Sequence, residues 1–173
     1  MTRVVLSIGS NLGDRLAQLQ SVVDALRESV VAVSPVFETA PWGGVEQGAF
    51  LNAALIADDP GLRPSGWLRR GQLLEDAAGR VRGERWGPRT LDVDLISCTE
   101  SGTELLVRKP DLTLPHPLAH LRAFVLVPWL EIDPGAELTV AGVPTPVRRL
   151  LDDIDPVDRA GVIRSHLTLQ LAA

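Results

Sequence analysis

The chain has 173 residues, 45% of them hydrophobic and 23% charged, with a formal net charge of −5. That composition fits one soluble globular domain large enough to bury its own core, and the acidic balance argues against a general nucleic-acid binder, which leans on net positive surface. Cys98, the single cysteine, permits no internal disulfide and no Cys-rich zinc site, and no apolar run approaches the roughly 20 residues that span a bilayer. The expected setting is therefore cytoplasmic, with no membrane or nucleic acid among the partners and a monomer as the expected state.

In chain order, Val4–Ile8 is apolar and β-branched and reads as a buried first strand. Gly9, Ser10 and Asn11 read as a turn. From Leu12 to Ser29 apolar residues recur at Leu12, Leu16, Leu19, Val22, Val23 and Leu26, the spacing of an amphipathic helix. Val30–Glu38 reads as a second strand bent at Pro35, and Ala40–Ala49 as a glycine-rich loop. Phe50–Ala57 is a third strand, Gly66–Ala78 a second helix, and Gly79–Thr90 an arginine-rich loop. Leu91–Ser97 alternates Leu91, Val93 and Leu95 with Asp92 and Asp94 and is a fourth strand. Then come a strand at Glu104–Val107, a loop at Lys109–Pro117 and a helix at Phe124–Trp129. The proline-containing remainder reads as a hairpin plus irregular structure.

Strand, helix, strand, strand, helix, strand is the ferredoxin-like order. The expected fold class is thus α+β, a ferredoxin-like βαββαβ core with a mainly antiparallel sheet and helices on one face, plus C-terminal helix and hairpin additions. The expected organisation is a single domain over residues 1–173, with 134–173 a peripheral extension.

Asp92 and Asp94 lie two apart on a strand and so share a face, away from the side that Leu91, Val93 and Leu95 define. Two carboxylates on rigid backbone, completed by phosphates and water, suit Mg²⁺. Alone, such a pair is more often a solvated strand face. The loop before it changes the weighting. Arg80, Arg82, Arg85 and Arg89 fall within ten positions, and Arg is suited to bidentate phosphate contacts. A polyphosphate bridged by Mg²⁺ satisfies both signs of charge. Trp86 can stack on a base or anchor its loop. The only lysine, Lys109, precedes Pro110, so no P-loop exists. Phe50 and Asn52 share a face of the third strand, where a ring that stacks and an amide that reads a heterocycle edge suit a small-molecule pocket. His116, Arg122 and Phe124 lie close together after Pro115, whereas His120 and His166 read as structural.

The run Arg80-Val81-Arg82, then Arg85-Trp86-Gly87-Pro88-Arg89-Thr90-Leu91-Asp92-Val93-Asp94, resembles the signature of the 6-hydroxymethyl-7,8-dihydropterin pyrophosphokinase family of folate biosynthesis. Ser7 to Asp14, Phe50 to Ala53, Leu114 to Pro117 and Arg122 to Phe124 resemble its other conserved segments. The resemblance covers about Val4 to Pro134. It implies transfer of the β,γ-pyrophosphoryl group of ATP to the pterin's hydroxymethyl oxygen, with release of AMP. It implies catalytic roles for Arg80, Arg82, Arg89, Asp92 and Asp94, with Asp92 and Asp94 holding two Mg²⁺ ions. ATP contacts are implied for Gln72, Glu75, Arg80, Arg82, Trp86, Arg89, Leu95, His116 and Arg122. Pterin contacts are implied for Thr39, Ala40, Trp42, Phe50, Asn52, Asp92 and Phe124. Phe50 stands where relatives often carry Tyr, so stacking survives without a hydroxyl. Two alternatives remain open at this level: a Mg²⁺-dependent nucleotidyltransferase, which releases inorganic pyrophosphate, and a non-catalytic ferredoxin-like ligand-binding module.

Overall fold

A computed structural model of the chain describes residues 1–40, 47–79 and 90–172. The N-terminal half runs β1 (Thr2–Ser10), α1 (Arg15–Leu26), β2 (Val30–Val33), β3 (Phe37–Thr39), β4 (Phe50–Asp59), α2 (Pro64–Ala77) and β5 (Asp92–Glu100). The remainder runs β6 (Thr103–Glu104), β7 (Val107–Lys109), β8 (Leu112–Leu114), a 3₁₀ turn (Ala119–Leu121), α3 (Ala123–Ile132), β9 (Glu137–Val140), β10 (Val143–Pro146), α4 (Val147–Asp152), α5 (Pro156–Ala160) and β11 (Val162–Arg164).

Among the described residues one mixed α/β layer system surrounds a seven-stranded sheet ordered β11-β3-β4-β1-β5-β6, with β2 also paired to β4. Its neighbouring strands run antiparallel. Alternation along the central strands splits the core in two. Val4, Leu6 and Ile8 of β1 and Leu51, Ala53 and Leu55 of β4 face α1 and α2. Val5, Ala54, Ile56 and Ile96 face the other way, against Val125, Leu126 and Trp129 of α3. The two helices of the expected core, α1 and α2, thus share one face, and the added helix α3 covers the other. α3 is apolar nearly all round and buries Ala123, Val125, Leu126, Pro128 and Trp129.

Each helix is placed by a few local features. Asp14 caps α1 by accepting the Ala17 N–H at 3.1 Å, and α1 buries Leu19, Val22, Val23 and Leu26. Pro64 opens α2, which buries a stripe of Trp67, Gly71 and Glu75 at four-residue spacing. A Cβ on Gly71 would lie 3.2 Å from Val93 Cγ1, so its absence lets α2 approach β5 closely.

Several elements differ from the sequence expectation. The expected turn at Gly9, Ser10 and Asn11 begins only at Asn11, because Gly9 and Ser10 pair with Asn52 and Leu51 of β4. The expected strand Val30–Glu38 is two strands, β2 and β3. Pro35 lacks an N–H for the ladder, and Ser34 fills the gap by donating its N–H to the Ala54 carbonyl and accepting the Ala54 N–H on Oγ. The expected strand Glu104–Val107 is the ends of β6 and β7, and the expected loop after it contains β8, paired with β7. The segment from residue 134 onward holds the expected β9-β10 hairpin, and also α4, α5 and β11. β11 pairs with β3, matching Val162 with Thr39.

Candidate active site

The site residues on described elements gather on the α3 face, at the end of the sheet where β4 and β5 begin. Asp92 and Asp94 are both half-buried, while Val93 between them is buried on the opposite face. That parity is the one the alternating sequence predicts. A bulge follows it. Val5 pairs with Ser97 and Leu6 with Leu95, leaving Ile96 extra. Ile96 follows Asp92 and Asp94 onto the α3 face by ordinary alternation, and past the bulge Cys98 lies in the α1–α2 core instead.

Position on β5 is also fixed from α2. Glu75 is buried, and its Oε2 accepts the Val93 N–H at 3.1 Å. The close approach permitted by Gly71, one turn earlier, brings Glu75 within reach of that strand edge. Gln72 is half-buried on the same helix.

Across β1, the register places Asn52, Gly9 and Asp92 in one row, and Ala54, Ser7 and Asp94 in the next. Asn52 is buried, and Thr39 donates its hydroxyl to Asn52 Oδ1 at 2.6 Å. This bond leaves the amide nitrogen as the end of Asn52 that lies over Gly9. Phe50 is half-buried beside it. Ala40 is exposed just past the end of β3.

From the covering layer, Arg122 at the start of α3 comes down onto this row. Its side chain is 7% exposed, and Nη1 lies 3.9 Å from Asp94 Oδ2. Its guanidinium sits 5.6 Å from the centre of the Phe124 ring, within cation–π range. Burial holds its pKa below the usual arginine value, opposed by the negative charges of Asp94 and Asp92. His116 is held by its backbone N–H to the Ile96 carbonyl at 2.8 Å. Burial first, and the Arg122 charge second, push its pKa from 6.5 down to about 4. Its Nδ1 accepts the Leu118 N–H at 3.1 Å, so the neutral ring carries its proton on Nε2. His116 is thus a hydrogen-bond donor without a charge of its own at neutral pH.

Thr39, Phe50, Asn52, Asp92, Asp94, Arg122 and Phe124 therefore share one face. Leu95 is buried among the α1–α2 core residues, so a ligand can meet its main chain only. Trp42, Arg80, Arg82, Trp86 and Arg89 lie outside the described residues. Gly9 carries no chemistry of its own and was read as a turn residue. The signal that marks it is an isolated glycine inside a strand pattern, which denotes close approach.

The sequence matches the family model for 7,8-dihydro-6-hydroxymethylpterin-pyrophosphokinase (HPPK) over residues 5–134. The chain belongs to this family. It is 65% identical over 167 residues to the 2-amino-4-hydroxy-6-hydroxymethyldihydropteridine pyrophosphokinase of Mycobacterium tuberculosis, covering 94% of this chain and 89% of that one. The enzyme of the same name from Mycobacterium leprae is 62% identical over 177 residues, covering 99% and 93%. That from Pseudomonas aeruginosa is 39% identical over 140 residues, covering 79% and 83%. The HPPK-DHPS structure of Plasmodium falciparum resembles this chain in fold, with a TM-score of 0.59 at 14% identity, covering 88% of this chain and 43% of that longer one. Asp92, Asp94, Arg122, Phe124, Asn52 and Phe50 all fall within the matched span.

Proposed function

We infer that this chain transfers pyrophosphate from ATP to the hydroxymethyl group of 6-hydroxymethyl-7,8-dihydropterin, releasing AMP, as a step of folate biosynthesis. The names of its high-identity relatives support the activity. The observation that carries it to particular residues is the row Asn52–Gly9–Asp92, which sets an amide and a carboxylate on one face of three adjacent strands. A heterocycle read at its polar edge by Asn52 presents a hydroxyl toward Asp92 without leaving that row. The ferredoxin-like reading of the core is supported by the order β3-β4-β1-β5, in which the two helical connections skip over one strand each.

Asp92 and Asp94 are hard oxygen donors on rigid backbone, half-exposed, and two ligands leave most of a six-coordinate shell to phosphates and water. This donor set fits Mg²⁺, and two ions are proposed. When bound, the metal offsets charge on the transferring phosphoryl oxygens and polarises the acceptor hydroxyl. The acceptor hydroxyl gives up its proton to water as its oxygen forms a bond to the β-phosphorus of ATP, the bridging bond to the α-phosphate breaks, and AMP leaves. Arg122 supplies a fixed positive charge beside Asp94 that needs no reorganisation during transfer. His116 donates through Nε2 to the nucleotide. Phe50 and Phe124 hold the pterin ring, and the Thr39 hydroxyl fixes the orientation of the Asn52 amide. Arg80, Arg82, Arg89 and Trp86 are proposed phosphate and base contacts, and Gln72, Glu75 and the Leu95 main chain are proposed to border the nucleotide. Trp42 and Ala40 are proposed to border the pterin.

The test is to incubate the protein with ATP, Mg²⁺ and 6-hydroxymethyl-7,8-dihydropterin and to separate the nucleotides. AMP formed in step with a diphosphorylated pterin is the expected result. Inorganic pyrophosphate as the product points instead to nucleotidyl transfer, and binding without turnover points to a ligand-binding module.

A further inference from the structure

Gly9 is the next-to-last residue of β1, a central strand of the sheet, and is paired on both sides, where a glycine normally weakens the sheet by its entropy and lack of packing. Nothing about its backbone demands glycine, since its φ lies outside the left-handed region. The constraint is space. A Cβ on Gly9 would lie 2.7 Å from Asn52 Nδ2, and 3.5 Å from Cδ1 of the Phe50 ring. The first distance is closer than real Cβ atoms come, so one of the two must move. Asn52 Nδ2 is the end of a side chain, and it can move without disturbing the sheet. Yet its other end is held by the Thr39 hydroxyl at 2.6 Å, so moving it breaks or bends that bond.

The register adds a second constraint. Gly9 is the cross-strand neighbour of both Asn52 and Asp92, on the face that carries the polar groups. Strands are about 4.8 Å apart, so the amide-bearing and carboxylate-bearing backbones are separated by about 10 Å with Gly9 midway. A flat acceptor that meets Asn52 with one edge and Asp92 with its hydroxyl must cross that gap. Any side chain on Gly9 would rise into it.

We propose that Gly9 is a specificity-determining position of the acceptor pocket: its bare backbone lets the Asn52 amide lie across β1 and keeps the span from Asn52 to Asp92 open for a planar heterocycle. This rests on the assignment of Asn52 to the acceptor. Gly9 acts through Asn52 and through shape, so it is a positioning residue. Its loss alters acceptor recognition, leaving nucleotide binding and folding largely intact.

The experiment compares Gly9→Ala, Asn52→Ala and the double variant in steady-state kinetics and thermal unfolding. Gly9→Ala is expected to raise KM for the pterin about tenfold or more, the scale of one misplaced buried hydrogen-bonding group. KM for ATP is expected to change far less, and the unfolding midpoint is expected to fall by no more than the loss of one buried hydrogen bond accounts for. Adding Gly9→Ala to Asn52→Ala is expected to cost less than it costs alone, because the displaced amide is already gone. Equal rises in both KM values, full additivity in the double variant, or an unchanged pterin KM for Gly9→Ala beside a raised one for Asn52→Ala would each overturn the role of Gly9. An unchanged pterin KM in Asn52→Ala would overturn the assignment of the acceptor pocket itself, and the inference with it.

Discussion

On β1, Ile8 is fully buried against α1 and α2, while the next residue, Gly9, floors the opposite face between Asn52 and Asp92. On β5, Val93 is buried in the same helix-side core, between two half-exposed aspartates. The two faces of these strands differ in kind. The α1–α2 face is nearly continuous aliphatic packing. The α3 face is aliphatic at one end and polar at the other, where Arg122 descends toward Asp94. Because side chains alternate, folding energy and chemistry are assigned to neighbouring residues of one strand. Substitutions one position apart should therefore fail in opposite ways.

The sharpest way to break this comparison is on β5. Asp92→Ala and Asp94→Ala are each expected to lower kcat on the order of a thousandfold through loss of metal ligation, with little change in unfolding midpoint. Val93→Ala should do the reverse. It removes buried methyl groups at a cost of about 2 kcal/mol of stability and retains most of the turnover at low temperature. Kinetics and denaturant unfolding on the three variants check both halves. Wild-type-like rates in both aspartate variants would remove the metal assignment.

A smaller effect is expected at Arg122. A buried guanidinium whose pKa is depressed by burial is held there at a cost to stability. Arg122→Met is expected to leave the unfolding midpoint level or raised, while calorimetric titration shows ATP binding weakened about tenfold. A large loss of stability with unchanged ATP affinity would instead make Arg122 a structural cation.

The smallest effect is a pH dependence. His116 has a folded pKa of about 4 against an ordinary 6.5, so between those values the unfolded chain binds more protons. Its contribution to stability is complete above 6.5 and is lost as pH falls toward 4. Replacing His116 by Asn should flatten that part of the stability profile. An NMR titration should show no change in the His116 ring between pH 5.5 and 8. A midpoint near 6.5 would place the ring in water rather than beside Arg122.

Much of this was legible in the sequence, for physical reasons that differ by residue. The shared face of Asp92 and Asp94 followed from a period of two in a strand with apolar residues at every other position. The helix-side core followed from Leu19, Val22, Val23 and Leu26 in the same way. Gly9 was misread because a glycine beside serine and asparagine looks like a turn, and only the partner strand reveals that it is paired. The division at Ser34 and Pro35 turns on a side-chain hydroxyl joining a ladder 20 residues away, which local pattern does not encode. β11 is three residues long and finds its partner more than a hundred residues earlier. Leu95 was assigned to the nucleotide by family resemblance, and its alternation with Leu91 and Val93 leaves its side chain in the core.

The pairing of β11 with β3 has a consequence for how the molecule is made. Thr39, whose hydroxyl orients Asn52, lies opposite Val162 of β11, the outermost strand on that side of the sheet. A chain emerging from the ribosome can join β1, β4 and β5 well before residues 162–164 exist. Until they appear, β3 presents an uncovered border to every other nascent chain nearby, a template for stray pairing. The three residues that cover β3 beside Thr39 thus also move the open edge of the sheet onto a strand too short to template much pairing.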